Sequence, residues 1–341
     1  MSTVRSLRTP GRVVVIGAVH EAQAVLDTLL ASPVADVVLL VTAASHRGLS
    51  GAVDLAGRAQ AAGVPVLHVE DVNSTETVKA IAEREPALIV VVGWTRLIRR
   101  PLLAVPARGC VGFHASLLPA NRGRAPVNWA ILRGEKVTGN TMIMLDPGVD
   151  TGDIIDQRAI AIGLADTCAT VYERVGQAGA EMLTQHLPAL LAGTAPRRPQ
   201  FGSVEPPLPK RTPEMGILDW SWTADEVHDW VRALTRPYPG AFTSLAGRRV
   251  MVWRTWPPTE SSAAGEPGTV LAFEEDAGVR VATSAGSVVV SRLSDADHPE
   301  TAAAEWCLAN GVGVGAQFDA VPPAVAAWAR GRGPFPSAVS R

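Results

Sequence analysis

A chain of 341 residues is long for one compact domain and comfortable for two. With 31 Lys and Arg against 33 Asp and Glu, and 47% hydrophobic residues, it is neither a disordered chain nor one with the broad cationic surface that phosphate neutralisation demands. Cys110, Cys168 and Cys307 are far apart and have no CxxC or Cys/His ligand spacing, which points to neither a disulfide framework nor a metal site.

The first apolar run, RVVVIGAV, is cut short by His20 and Glu21. It reads as a buried strand rather than a leader or a membrane span, so the expected location is cytoplasmic. Val- and Ile-rich runs over Arg12 to Ile16, Val37 to Val41 and Ala87 to Val92 predict strands covered on both faces. Between them, Glu21 to Leu30, Ala52 to Ala62 and Thr75 to Glu83 place apolar residues at helical spacing. The βαβα alternation predicts an α/β fold with an open, parallel, Rossmann-like sheet. Gly17 follows the first strand, but no G-x-G-x-x-G is present, which disfavours a dinucleotide site.

A strand over Cys110 to Phe113 ends at His114, and another over Asn140 to Leu145 leads into the loop DPGVDTGD. Ligands of open α/β sheets bind at the carboxyl ends of strands, so His114 is expected at that edge, able to exchange a proton near neutral pH. Glycines around Asp150 permit a tight loop that would bring its carboxylate to the imidazole. Asp146, next to Pro147 and Gly148, reads as a turn residue. A long helix is expected from about Thr170 to Leu191, then the proline-rich stretch Pro196 to Pro209 as a linker. Beyond it, a helix over Ala224 to Ala233 and short strands at Phe242 to Ser244, Val250 to Trp253, Gly268 to Ala272, Val279 to Ala282 and Ser287 to Leu293 suggest a small, barrel-like β domain. The chain after Pro322 reads as a loosely ordered tail.

SLLPANRGRAPVNWAI with His114 before it, DPGVDTGDII after it, and KRTPEMGILDW followed by VRALTRPYPGAF further on resemble the folate-dependent formyltransferase family. That family includes methionyl-tRNA formyltransferase and bacterial amino-sugar formyltransferases, and the likeness runs from about Arg12 to about Leu293. With the proline-rich linker and the tail, the resemblance divides the chain into a catalytic domain over 1–195, a linker over 196–209, an OB-like β-barrel over 210–320 and a tail over 321–341. It further implies transfer of a formyl group from 10-formyltetrahydrofolate to a primary amine.

The family's reacting trio is Asn-x-His with a distant Asp, which maps onto Gly112, His114 and Asp150. Glycine supplies no amide, and losing one oxyanion donor costs about a hundred- to thousand-fold in rate. Three alternatives stand: a substitute donor such as Ser116, Asn121 or Asn128; a pocket widened for a larger acceptor or another one-carbon transfer; or a folate-binding protein that no longer turns over. The resemblance places the folate against Trp94, Leu97, Pro147, Gly148 and Val149. Ser116, Asn121, Arg122 and Arg124 are candidate acceptor contacts, the arginines suiting a phosphate or carboxylate. The acceptor is expected to be a small-molecule amine, a nucleotide-linked amino sugar or an amino-acid-derived amine. A charged tRNA is disfavoured, because the segment ASHRGLSGAVDLAG carries only His46 and Arg47 where tRNA enzymes of this family have a basic insertion. A formyltetrahydrofolate hydrolase is disfavoured by the large carboxyl-terminal domain.

Overall fold

The computed structural model describes residues 10–45, 48–202, 205–258, 265–276 and 278–334, and it divides by internal contacts into two units. The first comprises the chain up to Pro126 with Val137–Ala161 and Tyr172–Leu208; the second comprises Val127–Lys136, Ile162–Val171 and the chain from Pro209 onward. His46 and Arg47 lie outside the described residues.

The first unit is built on a seven-stranded sheet in the order β3-β2-β1-β4-β5-β6-β7. Its strands are β1 (Gly11–Ile16), β2 (Ala35–Ala43), β3 (Val66–Val69), β4 (Leu88–Val91), β5 (Cys110–His114), β6 (Val137–Met144) and β7 (Ile154–Ala161). Helices α1 (Glu21–Leu30), α2 (Leu55–Ala61), α3 (Thr75–Ala82) and the short α4 (Arg100–Leu103) connect the first five strands. The α2 and α3 amino termini are capped by the Asp54 carboxylate on Gly57 N–H and the Ser74 hydroxyl on Thr77 N–H, the residue types that satisfy orphaned amides.

Two apolar layers hold the sheet. Val13, Val15, Leu40, Val90 and Val111 face Leu26 and Leu29 of α1 and Met182, Leu183, Leu187 and Leu190 of α6 (Cys168–Ala192). Val14, Ile16, Leu39, Val41, Ile89 and Val91 face Val72, Ile81 and Leu102 on the other side. Each such side chain, fully buried, contributes about 1.5–3 kcal/mol, which explains why these strands read as continuous apolar runs.

The expectation of a wholly parallel sheet is corrected at its far end. Strands β3 to β5 are parallel, but β5–β6 and β6–β7 are antiparallel. The loop Leu145–Asp153, too short for a crossover, leads from β6 to β7, and only antiparallel strands can be joined that way.

In the second unit, a 3-10 turn (Pro213–Gly216) and α7 (Ala224–Leu234) precede β8 (Ala241–Leu245), β9 (Arg248–Thr255), β10 (Val270–Phe273), β11 (Val279–Ala282) and β12 (Ser287–Ser294). Thr223 and Glu226 form a reciprocal capping box at the start of α7. The strands are antiparallel in the order β10-β11-β12-β9-β8, with β13 (Thr301–Ala302) beside β12. Among the described residues this order does not close on itself, and the unit is built on an antiparallel sheet. α5 (Pro126–Leu132), α8 (Ala303–Ala309) and α9 (Pro323–Ala329) complete the helices.

α9 corrects the expectation of a loose tail after Pro322. Pro323 sits in its first turn, where a missing N–H costs nothing, and Val325, Ala326 and Ala329 are buried. Arg330 then pairs with Glu226 at 3.0 Å and lies 4.2 Å over the Trp222 ring. Among the described residues, no helix is long and apolar enough to cross a membrane.

Candidate active site

His114 closes β5, and its buried side chain shares a sheet face with Gly112, two residues back. Because β6 runs antiparallel, its end is level with the start of β5: Val111 lies opposite Met144, and Leu145 N–H donates to Cys110 O at 2.8 Å. The β6–β7 loop therefore starts at the wrong end of β5 and climbs back over the face bearing Gly112 and His114. It delivers Asp150 Oδ1 to 3.5 Å from His114 Nδ1. The pair thus stands on the sheet face, at the level of the last residue of β5.

The loop has the chemistry this path requires. Asp146 accepts from Gly148 N–H and the Thr151 hydroxyl, folding the turn on itself. A Cβ on Gly152 would collide with the Met144 carbonyl, so no other residue passes there. Asp150 adopts φ +53°, a left-handed conformation that costs about 1–2 kcal/mol in a non-glycine residue. Two bonds hold it: Gly123 N–H donates to Asp150 Oδ2 at 2.9 Å, and Gln200 Nε2 donates to Asp150 O at 2.9 Å.

His114 Nε2 donates to the Asn121 carbonyl at 2.8 Å, so both ring nitrogens face acceptors, and an imidazolium could donate to both. Asn121 reaches this position with φ +56°, a conformation asparagine tolerates better than most residues. The preceding loop is braced from β6: the Thr141 hydroxyl donates to Ser116 O at 2.6 Å and accepts from Leu118 N–H at 3.1 Å.

The remaining residues singled out from sequence fall as follows. Beside Gly112 the space is filled: a Cβ there would lie 2.5 Å from Leu145 Cδ2. Ser116 is buried and its hydroxyl donates to Ala120 O, while the Asn128 amide, in the second unit, donates to Ala233 O. Arg122 is half-buried and binds Gln200 Oε1 through Nε (3.2 Å) and Nη2 (2.6 Å); the Arg124 side chain is exposed. Trp94 packs on the apolar layer beneath the β4 loop with its indole Nε1 buried and without a partner among the described residues, and Leu97 is 52% exposed. Pro147, Gly148 and Val149 are exposed on the Asp150 loop.

Three contributors carried no sequence signal. Leu145 was read only as the end of a strand. Gly123 matters through its backbone N–H, and a Cβ on it would lie 2.5 Å from Leu208 N, so glycine is what allows the Leu208 strand to approach. Gln200 is the third, in the stretch read as a linker.

Elsewhere in this unit, His20 Nδ1 lies 3.6 Å from Glu21 Oε2, with His20 Nε2 and Glu21 Oε2 both lacking hydrogen-bond partners among the described residues. Burial raises the Glu21 carboxyl above its ordinary value, against the opposing pull of His20.

Residues 11–187 match the family described as formyl transferase, and residues 210–311 match the formyl transferase carboxyl-terminal domain. The chain is 36% identical over 231 residues to methionyl-tRNA formyltransferase of Geobacter metallireducens, covering 68% of this chain and 73% of that one. It is 39% identical over 240 residues to the methionyl-tRNA formyltransferase of Pelotomaculum thermopropionicum, covering 69% and 74%. In fold it resembles HypX from Aquifex aeolicus in complex with tetrahydrofolic acid, with a TM-score of 0.63 and 21% identity over 92% of this chain, which spans about half (50%) of the HypX chain. It also resembles an N-formyltransferase from Helicobacter canadensis in complex with folinic acid and dTDP-3-aminofucose, with a TM-score of 0.61 and 16% identity over 82% of this chain and 98% of that one.

Proposed function

The chain belongs to the formyl transferase family, and on that premise we propose that it carries a formyl group from 10-formyltetrahydrofolate to a primary amine, with His114 and Asp150 as the reacting pair. The observation that carries the assignment is the 3.5 Å approach of Asp150 Oδ1 to His114 Nδ1, with the other carboxylate oxygen fixed by Gly123 N–H. A fit for the folate is supported by Trp94 Nε1, buried and without a partner among the described residues, and by the exposed apolar side chains of Leu97 after β4 and Val149 on the Asp150 loop.

The folate supplies the activated formyl carbon. His114 donates to the oxygen that becomes negative when the amine nitrogen bonds to that carbon. Asp150 orients the imidazole and takes up the proton the amine loses, which returns to the departing folate nitrogen as its bond to the formyl carbon breaks. The products are the formamide and tetrahydrofolate. Since Nδ1 faces Asp150 and Nε2 is held by the Asn121 carbonyl, the substrate oxygen must displace that carbonyl from Nε2. Gly112 provides no second donor, so the chemical step is expected to be slower than in a site with the amide, by up to about a hundred- to thousand-fold.

The acceptor in this reading is a small-molecule amine with an anionic group, for which half-buried Arg122, held by Gln200, is the candidate contact. A second reading, the amino group of a charged initiator tRNA, is favoured by the 36–39% identity to methionyl-tRNA formyltransferases. The same proposal takes the carboxyl-terminal sheet as OB-like, which the bulges in its β10–β11 and β9–β12 pairings support, because bulges let a sheet curl.

The test is formyl transfer from 10-formyltetrahydrofolate to dTDP-3-aminofucose and to methionyl initiator tRNA, by wild type, His114→Ala and Asp150→Asn. Both variants should lose at least about a hundred-fold without loss of melting temperature, and their effects should not add. Full activity in either removes the assignment. An inactive wild type whose melting temperature still rises with 5-formyltetrahydrofolate would make the protein a folate binder without turnover.

A further inference from the structure

We propose that Gln200 is a positioning residue of this site, tying the loop that carries Asp150 to the loop that carries Arg122; the inference rests on the His114–Asp150 reading above. Its carboxamide Nε2 donates to two carbonyls of the Asp150 loop, Asp150 O at 2.9 Å and Gly152 O at 2.8 Å. Its Oε1 accepts from Arg122 Nε and Nη2. Two N–H bonds and two accepted bonds use the full capacity of a carboxamide.

The partners also determine its orientation. Carbonyls only accept, so the amino group faces the Asp150 loop; a guanidinium only donates, so the oxygen faces Arg122. Glutamate would turn an oxygen against two carbonyl oxygens, and asparagine is one methylene too short to span the same atoms.

The segment bearing Gln200 is pinned on either side. Arg198 and Ile154 exchange both backbone bonds at 2.8 and 2.9 Å, and Leu208 pairs with the Arg122–Arg124 turn through bonds of 2.7 and 3.0 Å. The Gln200 side chain therefore projects from an anchored backbone, and it grips the carbonyl of the residue whose left-handed φ most needs holding. Asp150 is restrained at its carboxylate by Gly123 and at its carbonyl by Gln200, and both restraints trace to the Arg122–Arg124 turn. Through Gln200, a cation suited to an anionic acceptor is mechanically linked to the carboxylate that orients His114.

The experiment uses the full chain with 15N-labelled histidine. The His114 ring resonances are identified by their loss in His114→Ala, then followed in Gln200→Ala, Gln200→Glu and, as a control on the same unit, Gln185→Ala, whose side chain serves only Arg158 among the described bonds. The His114 signals should move in both Gln200 variants and stay in place in Gln185→Ala. In formyl transfer to whichever of the two acceptors above wild type uses, kcat should fall by up to about a hundred-fold, the scale of a roughly 1 Å misplacement, with the folate KM nearly unchanged. His114 resonances unmoved in both Gln200 variants would overturn the inference, whatever the protein's activity. Moved resonances with full activity in His114→Ala would leave Gln200's placement of Asp150 standing and remove the catalytic reading instead.

Discussion

Placing asparagine at residue 112 separates two demands that the structure sets against each other. The backbone there is ordinary β5, so the new side chain meets no conformational barrier, but its Cβ would arrive 2.5 Å from Leu145 Cδ2. The contact is with the far end of a flexible side chain, so Leu145 must rotate or shift, and overpacking of this kind costs about 1–3 kcal/mol. For a unit of this size that is a fall of about 2–12 °C in melting temperature. Leu145→Ala removes the obstacle and, because Leu145 is only partly buried, should cost less than the ~2–5 kcal/mol of a fully buried leucine. The double variant Gly112→Asn/Leu145→Ala should then be more stable than the sum of the single changes predicts, by about 0.5–3 kcal/mol. If the restored amide reaches the developing oxyanion, it should also run the chemical step faster than Leu145→Ala alone, by up to about a hundred- to thousand-fold. Thermal melts of the four proteins and single-turnover kinetics at saturating folate read both quantities. Additivity of the two stability changes to within about 0.5 kcal/mol would refute the claim that Leu145 occupies the missing side chain's place. A double variant with normal folate affinity and no gain in rate would refute the claim that the missing amide limits the chemistry.

Glu21 should make the protein less stable as pH rises. Its carboxyl is raised by burial, so the folded state holds the proton more tightly than the unfolded one; the stabilisation is full below the unfolded value of about 4.3 and is lost as pH climbs through the raised folded value. Glu21→Gln should therefore gain melting temperature over wild type between about pH 4.5 and pH 8, and a difference independent of pH would show that Glu21 is not the titrating group. Burial pushes the thiols of Cys110 and Cys168 up to about 12 and that of Cys307 up to about 11. All three are free and buried, so a disulfide reagent at pH 8 should label none in the native protein and all three in denaturant; rapid native labelling of any one would contradict its burial.

The parts of the fold that could be read from sequence are those where one residue's neighbours in the chain share its fate. β1, β2 and β4 are covered on both faces and announce themselves as unbroken apolar runs. β7, with a neighbour on one side only, has a mixed pattern, and β3 is four residues long, so neither showed a signal above its surroundings. Strand direction was also hidden: nothing in the residues of β6 distinguishes a strand running up from one running down, and this is why His114 and Asp150 were expected at a sheet edge rather than across its face. His114 and Asp150 stood out because a strand end and a glycine-flanked loop are local features. Gln200 did not, since its partners are backbone carbonyls 48 and 50 residues away and the prolines around it suggest only an extended chain. α9 was missed because the chain after Pro322 was read as a loose tail, whereas Pro323 begins a short helix.

β7 also bears on how the sheet avoids pairing with another copy of itself. It is an outer strand of the first unit's sheet, and a bare outer strand is a template on which another copy can pair. Two things obstruct that here. Arg198 takes both backbone bonds at Ile154, and further along β7 carries charged side chains, Asp156 holding Arg158 at 3.0 Å and His186 of α6 at 3.0 Å, which make the strand a poor apolar template. The same stretch of chain that anchors Gln200 therefore shields one end of the sheet from self-association. Loosening it would be expected to register first as aggregation under mild heating, at temperatures where the sheet itself is still folded.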